Sequence, residues 1–266
     1  MTLLEVQHLK VSFPARSPAW GGARQLIMAV DDVSFTIAPG ETLGLVGESG
    51  CGKTTLGRAI VQLQRPDSGN IIFNGKDLAR LSRAELRAQR RQLQMVFQDP
   101  YSSLNPRRTV GDSIGEALDL HGLTDSSTAR RHRITELLKA VGLETGVAQS
   151  YPHEFSGGQR QRIGIARALA VAPKLIVCDE PVSALDVSVQ AQIVNLLQDL
   201  QQQHGLAYLF ISHDIAVVQH VSHRIMVMHR GRIVEMGETT TVIQAPQHAY
   251  TQSLIAAIPQ MDFTAQ

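Results

Sequence analysis

Short apolar runs alternate along this chain with polar turns and amphipathic stretches. Glu41–Val46, Leu93–Phe97, Lys174–Cys178 and Ala207–Ile211 are nearly continuous apolar segments bounded by turn residues. Runs of that kind suit strands covered on both faces, as in a parallel sheet. The N-terminal part differs. Leu3–Val11 and Ile27–Ile37 alternate apolar and polar positions, and Asn70–Phe73 follows the turn Pro66-Asp67-Ser68-Gly69. These predict a small antiparallel sheet. Ala15–Arg24, rich in Pro, Ser and Gly, reads as a loop, and Pro39-Gly40 and Asn74-Gly75 as turns. Arg224–Met228 and Arg232–Met236 flank His229-Arg230-Gly231 as a hairpin. Helical spacing predicts helices from Thr54, over Ser82–Arg91 (basic, with a solvated face), Val110–Leu120, Thr128–Val141 and Val187–Gln203. No strand pattern appears from Tyr101 to about Ser156. The chain therefore reads as an α/β core carrying a helical insertion.

Composition narrows the picture. The 266 residues are 43% hydrophobic, enough for a substantial core. The net charge of +1 creates no strong field for nucleic acid or anionic lipid. No apolar run approaches the roughly 18 residues of a membrane span, and Met1–Val6 lacks the basic start and apolar core of a signal peptide. The two cysteines, Cys51 and Cys178, sit in a loop and a strand, which suits a reducing compartment and gives no disulfide framework or metal cluster.

Three segments carry chemistry. Gly47-Glu48-Ser49-Gly50-Cys51-Gly52-Lys53-Thr54, followed by Thr55, is a complete G-x-x-x-x-G-K-[ST] loop between a predicted strand and a predicted helix. Its glycines let successive N–H groups face phosphate oxygens, and the helix start adds partial positive charge. Lys53 is expected to reach the β- and γ-phosphates and the Thr54 hydroxyl to ligate Mg²⁺; Cys51 is a filler rather than a nucleophile. The second segment, Leu175–Glu180, is an apolar strand ending in two carboxylates. Asp179 is assigned to the metal and Glu180 to polarising the attacking water. The third, Ser156-Gly157-Gly158-Gln159, opens a long helix and forms a second anion-ready N-terminus. Alone, each segment also fits a plain structural role: a glycine turn, a strand ending at a polar turn, a capped helix.

Together they resemble the ATP-binding subunits of ABC transporters over nearly the whole chain. Gly47–Thr54 is similar to Walker A, Gln98 to the Q-loop and Ser156–Gln159 to the signature, with Phe155 where Leu is more usual. Asp179-Glu180 completes Walker B, Ser183–Asp186 resembles the D-loop and His213 the switch histidine. Phe13 falls where an aromatic residue stacks on adenine, although Tyr is commoner there. The resemblance implies a P-loop ABC ATPase with a RecA-like core, an N-terminal antiparallel β-subdomain and a helical signature subdomain. It implies one ATPase domain over residues 1–259, with helical residues 101–165 inserted, and a C-terminal tail over 245–266. It also implies a head-to-tail dimer sandwiching two ATP molecules. Glu180 would act as general base, His213 would hold γ-phosphate and water, and Gln98 would sense Mg²⁺. Ser156, Gly157, Gly158, Gln159 and Asp186 would complete the site of the opposing chain.

Two stretches point to a branch. Val96–Arg107 and the tail Ala245–Pro259 resemble importers for oligopeptides, dipeptides and nickel, with His248-Ala249-Tyr250 where H-P-Y is usual. That branch implies two transmembrane permeases and a second ATPase subunit, a heterodimer ahead of a homodimer. It further implies an extracytoplasmic solute-binding protein and a peripheral position on the cytoplasmic face of the inner membrane. The Tyr101–Arg107 region and the helical subdomain would receive the permease's coupling helix. Many relatives hold an iron–sulfur cluster in a cysteine-containing extension; those cysteines are missing up to Gln266, so no cluster is expected. The rival is a soluble ABC-type ATPase of DNA repair or translation. Such proteins usually carry a coiled-coil insertion, zinc-binding cysteines or tandem domains, and this chain shows none, so no nucleic-acid partner is expected.

Overall fold

The structure, a computed structural model, describes residues 2–14, 26–99 and 104–257. The predicted Ala15–Arg24 loop, Tyr101–Ser103 and the tail beyond Ala257 lie outside the described residues. β1 (Leu4–Pro14), β2 (Leu26–Ile37), β4 (Ser68–Phe73) and β5 (Lys76–Asp77) form an antiparallel sheet in the order β2-β1-β4-β5. Asn74 and Gly75, at φ 50° and 74°, make the β4–β5 turn. The second sheet contains β3 (Thr42–Val46), β6 (Leu93–Val96), β7 (Leu175–Asp179), β8 (Ala207–Ile211), β9 (Arg224–His229) and β10 (Arg232–Glu238). Its order is β10-β9-β3-β8-β7-β6. Neighbours from β9 to β6 are parallel, and β10 closes the edge as an antiparallel hairpin. Arg230 and Gly231 both take positive φ at that hairpin, the twist that suits a two-residue loop.

The continuous apolar runs have a direct explanation. Side chains along a strand alternate faces, and both faces of the parallel sheet are covered. Leu175, Val177, Leu209 and Ile211 enter a core shared with the antiparallel sheet and with Leu56, Ala59 and Ile60 of helix α1 (Lys53–Ile60). Ile176, Cys178, Tyr208 and Phe210 enter a second core beneath the remaining helices.

Helix α2 (Arg83–Gln92) is capped by Ser82 and Glu85 and buries only Gln89, the solvated basic face expected of it. Between β6 and β7 the described residues contain α3 (Val110–Leu120), α4 (Ser127–Ala140) and α5 (Gly157–Leu169), with two short 3-10 turns and no strand. Then come α6 (Val187–His204), α7 (Ile215–Val221), α8 (Thr239–Gln244) and α9 (Ala249–Ala256). Sequence reading left α7 without an element. It is short, capped by Asp214, and buries Ile215, Val218 and Val221 at helical spacing. Its fit against β3 requires Gly44, where a Cβ would lie 2.3 Å from Val218 Cγ1.

Candidate nucleotide site

The phosphate loop leaves the carboxyl end of β3, which has β8 on one side and β9 on the other. Such a crevice, outside the strand ends of an open parallel sheet, is where ligands bind. Two glycines are sterically required. Gly47 has φ 152°, and a Cβ there would sit 2.2 Å from Met228 O; Gly52 has φ 114°, and a Cβ would sit 2.0 Å from Ala29 O. Gly52 starts α1 with no side-chain cap, so the first amides of the helix face the loop's concavity unclaimed by any side chain. Lys53 is buried, and its ammonium donates to Gly47 O at 2.7 Å and Glu48 O at 2.9 Å.

The end of β7 supplies the carboxylates. Asp179 is buried, and the Thr54 hydroxyl donates to its Oδ1 at 2.9 Å. Burial holds the Asp179 carboxyl above the usual carboxylate range, against the opposing pull of the Thr54 hydroxyl and the Arg58 charge. Glu180 then turns into the left-handed region at φ 46°, with its N–H donating to Ile211 O of β8 at 2.9 Å. A non-glycine residue held there stores roughly 1–3 kcal/mol, and the turn breaks the strand's alternation directly after Asp179. Glu180 Oε2 accepts from Gln98 Nε2 at 2.9 Å and lies 3.2 Å from His213 Nδ1. Gln98 follows β6, and His213 follows β8 just before the Asp214 cap of α7. Three parallel strands thus deliver Gln98, Glu180 and His213 to one point.

Lys53, Thr54, Gln98, Glu180 and His213 share a cleft of about 570 Å³ lined also by Phe13, Ala29, Ser49, Gly50, Gly52 and Thr55. Phe13, at the end of β1, is 38% exposed, which leaves ring surface accessible for a base to stack on. Other predicted residues lie elsewhere. Gly47 packs on Met228, and Cys51 is buried in the first core, where burial raises its thiol. Glu48 N–H points away to Tyr250. These three, and the buried Asp179, are not among the residues lining the cleft. The Ser156–Gln159 turn is also outside it. Ser156 Oγ accepts from Gln159 N–H at 3.3 Å, and Gln159 Oε1 accepts from Ser156 N–H at 3.0 Å, a closed capping box. Gly158 leaves room for Val189 of α6, since a Cβ there would lie 2.4 Å from Val189 Cγ1. Asp186, exposed, precedes α6 and makes no side-chain cap.

Sequence reasoning missed Ala29, which lies against Gly52, and Tyr250, which meets the loop from the C-terminal helix. It also gave no separate role to Ser183, whose Oγ is 3.5 Å from Gln98 Nε2 and donates to Glu180 O at 3.1 Å. Ala29 and Tyr250 are distant in sequence from the loop; no local motif marks Ala29, and the motif that contains Tyr250 carries no sign of a contact with the loop.

The donor set fits a magnesium nucleotide. The uncapped helix start and the Lys53 ammonium suit phosphates. A hydroxyl and a carboxylate suit a hard cation that takes its remaining ligands from water and phosphate. Among the described residues there is no group of three or more His, Cys, Asp or Glu that could hold a metal by itself.

Comparison with known proteins agrees with this geometry. Residues 30–183 match the family model described as ABC transporter, and residues 234–266 match the oligopeptide/dipeptide transporter C-terminal region. The chain is 54% identical over 261 residues to the oligopeptide transport ATP-binding protein OppF of Bacillus subtilis, covering 98% of this chain and 83% of that one. It is 55% identical over 257 residues to the glutathione import ATP-binding protein GsiA of Escherichia coli, covering 97% of this chain and 41% of that one. Among solved structures, cbiO1 from Clostridium perfringens, part of an ABC transporter complex, superposes with TM-score 0.76 at 27% identity over 91% of this chain and 90% of that one. The ATP-binding cassette MJ0796, a dimer bound to ADP and Pi, gives TM-score 0.76 at 28% identity over 89% of this chain and 98% of that one.

Proposed function

The chain belongs to the ABC transporter family as an ATP-binding transport ATPase, and from that premise we propose that it powers an importer of peptides from the cytoplasmic face of the membrane. The observation that carries the mechanism is a separation within one chain. Phosphate loop, Glu180, Gln98 and His213 meet at one cleft, with Asp179 bonded to Thr54 behind its wall, while Ser156–Gln159 is closed on itself outside it. A site built this way is half a site. A second cassette, set head to tail, supplies the other half through its own signature turn.

In this reading Phe13 stacks on the base and the loop amides hold the phosphates. Lys53 exchanges its two loop carbonyls for phosphate oxygens. The Thr54 hydroxyl and the Asp179 carboxylate would hold Mg²⁺, which would supply positive charge to the phosphates. Glu180, freed from Gln98, accepts the proton of the attacking water. His213 keeps water and γ-phosphate aligned, and Gln98 reports occupancy to the helices beyond β6. ATP closes the dimer and hydrolysis reopens it, a ligand-biased two-state motion.

No helix among the described residues is long and apolar enough to cross a membrane, so the transmembrane path belongs to permeases. We assign the permease contact to the groove between the end of α1, β6 and α3, where Leu63, Phe97 and Leu120 lie near Arg90 and Glu116. Leu63 and Leu120 are 56% and 55% exposed. The relatives named for oligopeptides and glutathione favour peptides over metal chelates as cargo. Two permeases, a sister ATPase and an external binding protein complete the system.

The test is capture of tagged Glu180→Gln from solubilised native membranes in Mg-ATP, read by mass spectrometry. Two permeases and a second ATPase are expected. Recovery of the chain alone, or with ribosomal or DNA-repair proteins, would replace the importer reading with a soluble ABC-type ATPase.

A further inference from the structure

The C-terminal segment returns to the phosphate loop across the whole length of the chain. Tyr250, on the first turn of α9, accepts a hydrogen bond at its hydroxyl from Glu48 N–H at 3.1 Å, 202 residues away in sequence. Its ring lies on His229 at the end of β9, centroids 4.0 Å apart and tilted by 40°. The helix start is itself fastened. Glu235 of β10 accepts from the N–H groups of Gln247 at 2.8 Å and His248 at 3.0 Å. His248 Nδ1 accepts from Tyr250 N–H at 3.1 Å. The hydroxyl is therefore presented from a capped helix docked on a hairpin, with ring and backbone both held.

Glu48 is gripped from both sides. Its N–H goes to Tyr250, and its carbonyl accepts from the Lys53 ammonium at 2.9 Å and from Cys51 N–H at 3.3 Å. Gly47, just before it, has no room to adjust, because it lies against the Met228 carbonyl. The orientation of the Glu48 peptide determines where the resting Lys53 ammonium sits and how the next amides turn toward the cleft.

We propose that Tyr250 is a positioning residue of the nucleotide site. It pins the outer side of the phosphate loop, so that the inner side is preformed when nucleotide arrives. The proposal rests on the transport-ATPase reading above and gives the C-terminal segment a role in ATP affinity. Tyr250 is not among the residues lining the cleft, so its removal should cost loop order before binding and leave the chemical step alone.

The experiment compares the full chain in its membrane complex with Tyr250→Phe, which keeps the ring on His229 and removes the hydroxyl, and with Tyr250→Ala. KM for ATP in Tyr250→Phe should rise about three- to five-fold, the effect of one net hydrogen bond, with kcat within about two-fold. Amide exchange should speed up in a peptide covering Gly47–Gly52 and stay unchanged elsewhere, with the melting temperature preserved. Tyr250→Ala should enlarge both effects. Unchanged KM and loop exchange in Tyr250→Phe would overturn the proposal. Faster exchange throughout the chain with a lower melting temperature would also overturn it, by assigning Tyr250 a general stabilising role. The exchange measurement needs no nucleotide, so it judges the Tyr250–Glu48 link even if the wild-type complex fails to hydrolyse ATP, an outcome that would sink the transport-ATPase reading by itself.

Discussion

Two helices of this chain have glycine at their starts, Gly52 capping α1 and Gly157 opening α5, yet their N-termini are prepared for opposite tasks. At α1, Gly52 occupies the cap position and no side chain bonds the first amides. At α5, Ser156 and Gln159 satisfy each other in a closed capping box. Both starts have the partial positive charge that attracts anions. The difference lies in what the chain supplies for itself. The α1 start is left to a ligand and is surrounded by Lys53, Thr54 and the carboxylates of β7. At the α5 start Ser156 and Gln159 are already paired within the chain; the cap uses only an acceptor site of the Ser156 oxygen, so its O–H can still be donated to a phosphate. In the proposed dimer the uncapped end serves its own chain's nucleotide, and the capped end serves the phosphate that the opposing chain brings to it.

This contrast can be broken by substitution. The largest effect is expected at Glu180. Glu180→Gln should lower the rate of ATP hydrolysis by about 10²–10⁴-fold, the usual contribution of a general base, and leave ATP binding intact. Turnover near wild type would remove Glu180 as the base. Lys53→Ala removes a buried ammonium from the uncapped end. ATP affinity of the isolated chain should fall about 10–100-fold, consistent with charge-assisted hydrogen bonds of roughly 1.5–3 kcal/mol; calorimetric titration would read it.

Ser156→Ala probes the other end. ATP affinity of the isolated chain should stay the same, whereas hydrolysis by the assembled complex drops about ten-fold or more, as when one transition-state donor is lost. Loss of the cap should also lower the melting temperature by about 2–4 °C, from roughly 1 kcal/mol. Weaker binding in the isolated chain would place Ser156 in its own cleft and end the contrast.

The smallest effect concerns Asp179, whose carboxyl is held above its ordinary value mainly by burial. A group raised in this way binds a proton more tightly in the folded state. Stability is therefore greatest below the ordinary aspartate value of 3.8 and declines as pH climbs through the raised native value. At neutral pH the buried charge is a cost, which Asp179→Asn removes while keeping an oxygen for the Thr54 hydroxyl. The variant's melting temperature should be higher by about 2–4 °C at pH 7, for roughly 1 kcal/mol, with the gain shrinking in acid. A lower melting temperature at neutral pH would contradict the burial argument.

Much of this was legible in the sequence because the pieces are local. The strand Thr42–Val46, the loop and α1 are contiguous, and the apolar run Leu175–Asp179 announces both a buried strand and carboxylates at its end. Asn74-Gly75 and the Gly231 of the second hairpin read as turns for the same reason, since Asn and Gly accept positive φ by residue type, whereas the positive φ of Arg230 is set by the hairpin. The α7 helix was passed over because seven residues give too few turns for the periodicity to stand out.

From its residues alone the chain determined a parallel core, a phosphate-binding loop and a carboxylate strand end, since each depends on propensity and spacing within a few residues. Tertiary structure alone decided the rest. It bent Glu180 into the left-handed region, brought Gln98 and His213 to its carboxylate, and buried Cys51 away from the cleft. It kept Ser156 apart from Lys53 and carried Tyr250 back to Glu48. These relations join segments that only the order of strands in the sheet brings together, and no local rule of spacing encodes that order.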